Sequence, residues 1–199
     1  MSAYPVSTEQ PAAVCPFRST ASYLRTASTA GWAALLYGLI CYMAFFTWFL
    51  YAVGWLGNWI VPWTIDGPSR GGGNLIAALV NVGLVALFVI QHTVMARPAF
   101  KRRWTRIIPA AIERSTFVLL AAACMWLLVL AWRPMPELVW SFTHPAAVWT
   151  LIGLSLAGWG IVLYSSFCIN HFDLFGLRQV WLRFIARPHK SVGFRLRVY

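Results

Sequence analysis

Two short runs of this sequence hold side chains with the chemistry to bind or react. The first is Gln91-His92-Thr93, with Arg97-Pro98 just behind it. The second is Asn170-His171-Phe172-Asp173-Leu174-Phe175-Gly176-Leu177-Arg178-Gln179. Imidazoles move protons or ligate metals, guanidinium groups hold anions, and a carboxylate beside aromatic faces favours a cation. Each residue also has a bland reading. A histidine at a helix end is often interfacial, Arg97 and Lys101 serve as membrane anchors, and Asp173 pairs with Arg178 about one turn away if that region is helical. Glu113 and Ser115, in the nearby Ile112-Glu113-Arg114-Ser115 segment, suit a helix start. The second run is too varied for anchoring alone: ten consecutive residues combine amide, imidazole, carboxylate, guanidinium and two Phe rings. His92 and His171, on two helices at one face, would also suit axial haem ligation, although haem ligands in bundles usually sit deeper. No other grouping spells a metal site.

The elements that position these runs are membrane helices. Of 199 residues, 60% are hydrophobic and only 11% charged, which excludes an ordinary soluble domain. A span needs about 20 mostly apolar residues. Four stretches qualify, at roughly 32–56, 75–95, 115–132 and 146–169, and none has a charge or a proline in its apolar body. The expectation is an all-α polytopic bundle of four transmembrane helices. Its organisation is a polar arm over 1–30, a membrane domain over 31–170 and a basic segment over 171–199. The first apolar run is too long for a cleaved signal and reads as a retained span. Of the four cysteines, Cys41, Cys124 and Cys168 fall in spans and Cys15 in the arm, and all read as small packing residues.

The net charge of +11 invites a nucleic-acid partner, but its distribution argues against one. Fourteen of the 16 basic residues fall in the arm, the 96–114 loop and the tail, all on one side if the spans alternate; Arg70 and Arg133 are the exceptions. That asymmetry predicts a bacterial inner-membrane protein with both termini cytoplasmic, its basic loops touching anionic lipid headgroups. Trp55, Trp59, Trp63, Trp132, Trp140 and Trp149 gather at the other face and read as an aromatic belt. The small residues Gly153, Ala157 and Gly160 predict that span four is central. Asn81 and His92, about three turns apart with Phe88 between them, share a face of span two. A buried Asn needs a partner, so that face should point inward.

The same residues carry a family resemblance. QHTVMARPAFKRRWTR (91–106), IERSTFVLLAA (112–122) and INHFDLFGLRQVWL (169–182) resemble the signature of bacterial methanethiol S-methyltransferases. These belong to the NnrU-like and isoprenylcysteine carboxyl methyltransferase-like membrane proteins. The resemblance covers roughly Gln91 to Tyr199, more weakly upstream. It implies methyl transfer from S-adenosylmethionine to a small thiol, yielding dimethyl sulfide from methanethiol. The implied catalytic groups are His92, Arg97, His171, Asp173 and Arg178; Asn170, Phe172 and Gln179 would hold the donor. Arg97, Arg178 or a charged His92 or His171 would favour a thiolate, while Asp173, Phe172 and Phe175 would favour the sulfonium. His92, Arg97, Asn170, His171, Asp173, Arg178 and Gln179 are expected to line one cytoplasm-facing pocket.

The family pattern continues into an Arg-His-Pro segment and a paired-Glu motif that this chain lacks. Residues 171–199 are therefore expected to lead into a further C-terminal part, and the 199-residue chain alone is not expected to turn over methanethiol. The alternatives are a non-catalytic NnrU-like membrane subunit or a haem-binding membrane protein.

Overall fold

Each of the four apolar runs is a helix in the computed structural model, which describes residues 28–135, 137, 141 and 143–189. The long helices are α1 (Thr29–Gly57), α2 (Gly73–Ala96), α4 (Glu113–Ala131) and α5 (Pro145–Ile169). Three short ones are α3 (Pro98–Trp104), α6 (His171–Leu174) and α7 (Leu177–Phe184). All four long helices are long and apolar enough to cross a membrane, and no strand occurs among the described residues, so the chain is an α-helical membrane protein. The start of α1, the end of α2, the start of α4 and the end of α5 share one end of the bundle, here called the basic face. Most of the arm, Cys15, Arg18, Arg25, Trp140 and the segment from Lys190 onward lie outside the described residues.

Local chemistry sets the helix ends. The Ser28 hydroxyl accepts from the Gly31 N–H at 3.2 Å and opens α1, and Asn58 closes it in the left-handed region. Pro145 opens α5 at a position that has no use for an amide hydrogen. Asn170 then ends α5 at φ 110° and, through Oδ1, accepts from the Asp173 N–H to start α6. Ser115 caps nothing: Ile112 holds the N-cap position of α4, and Ser115 Oγ is buried without a partner among the described residues.

Helix α4 packs along both α1 and α2. At 29 residues α1 is about 44 Å long, longer than the roughly 30 Å of hydrocarbon. Its first turns carry α7, where Val180 and Phe184 are buried. Val180 sits against Gly38, where any Cβ would meet its methyl carbon at 2.6 Å, and Phe184 lies edge-on to Trp32 at 4.7 Å.

Span four is not central. No residue of α5 is buried, and a Cβ built at Gly153 or Gly160 would meet nothing within 4 Å. The small-residue stripe therefore faces away from the described helices. Helix α5 instead touches α1 through Trp159, edge-on to Phe49 at 5.1 Å.

The opposite face also departs from a simple belt. Trp55 is buried edge-on against Trp132 at 5.4 Å, and Trp132 Nε1 donates to the Ile65 carbonyl. Trp59, Trp63 and Trp149 are exposed as a belt requires. The two arginines that break the charge asymmetry have structural work. Arg70 donates to the Leu130 carbonyl at 2.6 Å and Arg133 to the Gly71 carbonyl at 3.3 Å, tying the α1–α2 loop to the end of α4.

Asn81 finds the partner its burial demands. Its Nδ2 donates to the Arg133 carbonyl at 2.8 Å, and its Oδ1 accepts from the Arg133 N–H at 2.9 Å. Asn81→Leu strands both backbone groups as α4 ends. Bundle stability measured by denaturant titration in detergent should fall by about 1–2 kcal/mol.

Candidate functional site

A cavity of about 410 Å³ opens between α1, α2 and α4 near the basic face. Phe45 and Trp48 of α1, Phe88, His92 and Ala96 of α2, and Phe117, Val118, Ala121, Ala122 and Met125 of α4 form its walls. Leu174 and Phe175, at the end of α6, roof it together with Arg114. The reason is geometric: Asn170 turns the chain after α5, α6 makes one turn, and the chain is carried over the head of α4. Phe175 stacks on Phe45 at 4.3 Å and holds the roof to α1.

Of the residues expected to share a pocket, His92 alone lines this cavity. Its ring lies 5.3 Å from Phe88 and 5.0 Å from Phe117, and it has no hydrogen-bond partner among the described residues. Arg97 caps α3 and is exposed. Asp173 accepts from His189 Nε2 at 3.0 Å, with Arg178 Nη1 at 4.0 Å, so the expected Asp173–Arg178 pair forms at the edge of ion-pair range. Gln179 Nε2 donates to the Asp173 carbonyl, Asn170 is spent on its cap, and Phe172 is largely exposed. Asn170, Asp173, Arg178 and Gln179 form a second cluster behind the roof, outside the cavity lining, and Arg97 is not shown to join it.

His171 is 2% exposed and acts as a clasp. Ser166 Oγ gives its one hydrogen to the Leu163 carbonyl at 2.6 Å, so it accepts from His171 Nδ1–H at 2.8 Å. His171 Nε2 must then accept from the Tyr42 hydroxyl at 2.9 Å. One imidazole thus joins α5, α6 and α1. Both ring nitrogens are engaged within the protein, which removes the geometric basis of the two-histidine haem reading. Burial pushes the His171 pKa below the ordinary histidine value of 6.5. The folded protein therefore refuses a proton that the unfolded chain takes. Stability from this site is complete above about pH 6.5 and declines as the pH falls toward the depressed folded value. Detergent melts from about pH 8 to pH 5 should show that decline, and His171→Asn, which cannot take up the proton, should flatten it.

Sequence reasoning missed Arg114. Its Nε donates to the Leu174 carbonyl at 2.8 Å, and its guanidinium carbon sits 5.5 Å from the Phe117 ring centre. Among the described residues it is the one permanently charged side chain lining the cavity. The neighbouring carboxylate of Glu113 does not neutralise it, since Glu113 pairs with Lys101 at 3.0 Å. In sequence Arg114 looked like one more basic-face anchor. The available signal was its place in the first turn of span three, three residues before Phe117.

The molecule is thus a membrane-helix bundle holding a largely apolar cavity whose lining carries one imidazole and one guanidinium. Comparison with known proteins narrows that class. The chain is 45% identical over 164 residues to methanethiol S-methyltransferase of Mycobacterium tuberculosis, covering 81% of this chain and 66% of the relative. It is 48% identical over 165 residues to methanethiol S-methyltransferase 2 of Bradyrhizobium diazoefficiens, covering 82% and 62%. A more distant match, 28% over 113 residues, is Nurim of Bos taurus, covering 54% and 43%. No family profile and no solved structure matches. The chain belongs to the methanethiol S-methyltransferase family, and it spans a little under two thirds of the length of these bacterial relatives.

Proposed function

We propose that this protein transfers a methyl group to methanethiol, forming dimethyl sulfide, with S-adenosylmethionine as donor. The observation that carries the reading is the 45–48% identity to methanethiol S-methyltransferases over some four fifths of the chain. The cavity supports it. A volume of about 410 Å³ has room for a very small thiol beside another group, since roughly 150 Å³ already takes a benzene ring. The rings of Phe45, Phe88, Phe117 and Phe175 suit a sulfonium, which would supply an electrophilic methyl group. Apolar walls exclude water and hold the reactants in line, and alignment of that kind contributes up to roughly 7–11 kcal/mol of barrier lowering.

The test is headspace dimethyl sulfide from membranes supplied with S-adenosylmethionine and methanethiol. The chain is assayed as it stands and with residues 28–189 grafted in place of the matching segment of the Mycobacterium tuberculosis relative. Product from either supports the reading. An inactive graft that reaches the membrane in normal amount, beside an active parent, overturns it.

The setting proposed is the bacterial inner membrane, with the basic face toward the cytoplasm and its anionic headgroups. The charge distribution supports this orientation. A reporter inserted after Gly71 should read as outside and one after Lys101 as inside; a cytoplasmic signal at Gly71 overturns it.

A further inference from the structure

We infer that Arg114 is the group that holds the acceptor as a thiolate, with His92 taking its proton. The inference rests on the methyl-transfer reading for its substrate. A thiol is a weak nucleophile until it ionises, and a fixed cation favours ionisation. The largely apolar lining strengthens that effect by lowering the local dielectric. Among the described residues only Arg114 and His92 bring strongly polar side chains to the cavity, and both lean on the same Phe117 ring. Arg114 is fixed by its Nε bond to the Leu174 carbonyl, which leaves its Nη donors without an acceptor among the described residues. A guanidinium does not give up its proton, so it serves as counter-ion and not as base. The imidazole can accept a proton, and no hydrogen bond ties it to another described residue.

The charged groups around Arg114 leave it this role. From α3, Lys101 holds Glu113. Behind the roof, Asp173 is held by His189 and Arg178. Helix α2 presents His92, and α1 presents only Phe45 and Trp48. The step balances. The S–H bond breaks and its proton goes to a ring nitrogen of His92, while the negative charge on sulfur pairs with Arg114. The sulfur lone pair then forms the new bond to the methyl carbon as the donor's C–S bond breaks, its electron pair staying on the donor sulfur. The imidazolium later loses its proton to water.

In the graft described above, Arg114→Gln should lower kcat/KM for methanethiol on the order of 100- to 1,000-fold, as for loss of one preorganised donor to a developing anion. KM for S-adenosylmethionine should change less than about twofold, and Arg114→Lys should recover part of the loss. With methaneselenol, which is already ionised at neutral pH, the Arg114→Gln defect should shrink. A raised donor KM with an undiminished defect on the selenol would instead place Arg114 on the donor and overturn the assignment. A second readout needs no turnover: isotope-labelled methanethiol titrated with pH on the purified protein, the carbon resonance reporting ionisation. The bound thiol should ionise at lower pH than free thiol, and Arg114→Gln should remove the difference. Equal midpoints in both proteins overturn the assignment. A lowered midpoint without any dimethyl sulfide keeps it and overturns methyl transfer instead.

Discussion

Replacing Gly176 by alanine should collapse the roof of the cavity. Gly176 has φ +85°, a conformation that costs a side-chain-bearing residue roughly 1–3 kcal/mol. The space is closed as well. A Cβ there would stand 2.7 Å from the backbone nitrogen and the hydroxyl of Ser115, and 3.2 Å from the carbonyl carbon of Arg114. Two of those three atoms are backbone in the first turn of α4, and Ser115 is wholly buried, so neither side can give. The only relief is to push the α6–α7 turn off α4. That breaks the Arg114–Leu174 bond and lifts Phe175 from Phe45. The combined cost should be about 3 kcal/mol or more, seen as a large drop in the detergent melting temperature. Gly83→Ala is the control: it lies in α2 with nothing within 4 Å of the added carbon, and should be neutral or slightly stabilising. Equal melting of wild type and Gly176→Ala would show that the turn is free to move.

That turn also shows where the sequence stops being legible. The four spans could be read directly because hydropathy over about 20 residues depends on the bilayer and hardly on tertiary contacts. Their observed bounds fall within about three residues of the expected ones. The inward face of span two was equally legible, because a buried Asn has to be paired wherever it sits. What it pairs with, the backbone of Arg133, was not, since only the fold brings the end of α4 to it. The small-residue stripe of span four failed for a related reason. Small residues permit close approach, but they do not say whether a neighbour is present, and Gly153 and Gly160 face none of the described helices.

The candidate site was half legible. The Asn170–Gln179 run is as structured as its composition suggested, but its polar groups mostly satisfy one another. Asn170 caps α6, His171 ties Tyr42 to Ser166, and Asp173 takes His189 and Arg178. From that run it is the apolar Leu174 and Phe175 that reach the cavity. Polar density in sequence therefore marked a scaffold for the roof as much as a reactive surface. Arg114 escaped notice because a basic residue near a span end has a sufficient explanation in membrane orientation. Its reach to Leu174 appears only once α6 is folded over α4.

In the graft into the Mycobacterium tuberculosis relative, Ala121→Phe should sharply cut turnover of methanethiol while leaving the fold intact. Ala121 is only partly covered and lines the cavity on α4, one turn deeper than Phe117. A ring introduced there takes up space inside the cavity. A site of roughly 150 Å³ is enough for benzene, so one ring removes about a third of the 410 Å³ or more. Filling a cavity in apolar surroundings adds contacts and should hold or slightly raise the melting temperature, in contrast to Gly176→Ala. Catalysis is less forgiving, because a displacement of about 1 Å from the in-line geometry costs on the order of 100-fold. The expected result is a fall in kcat/KM of about 100-fold or more, with the amount of membrane-inserted protein unchanged. Ala121→Gly widens the same wall and should shift preference toward ethanethiol or propanethiol. If Ala121→Phe left turnover near wild type, the acceptor would have to bind outside the space between α1, α2 and α4. A fall in turnover matched by an equal fall in folded protein would mean the ring had displaced α4 instead of occupying the cavity.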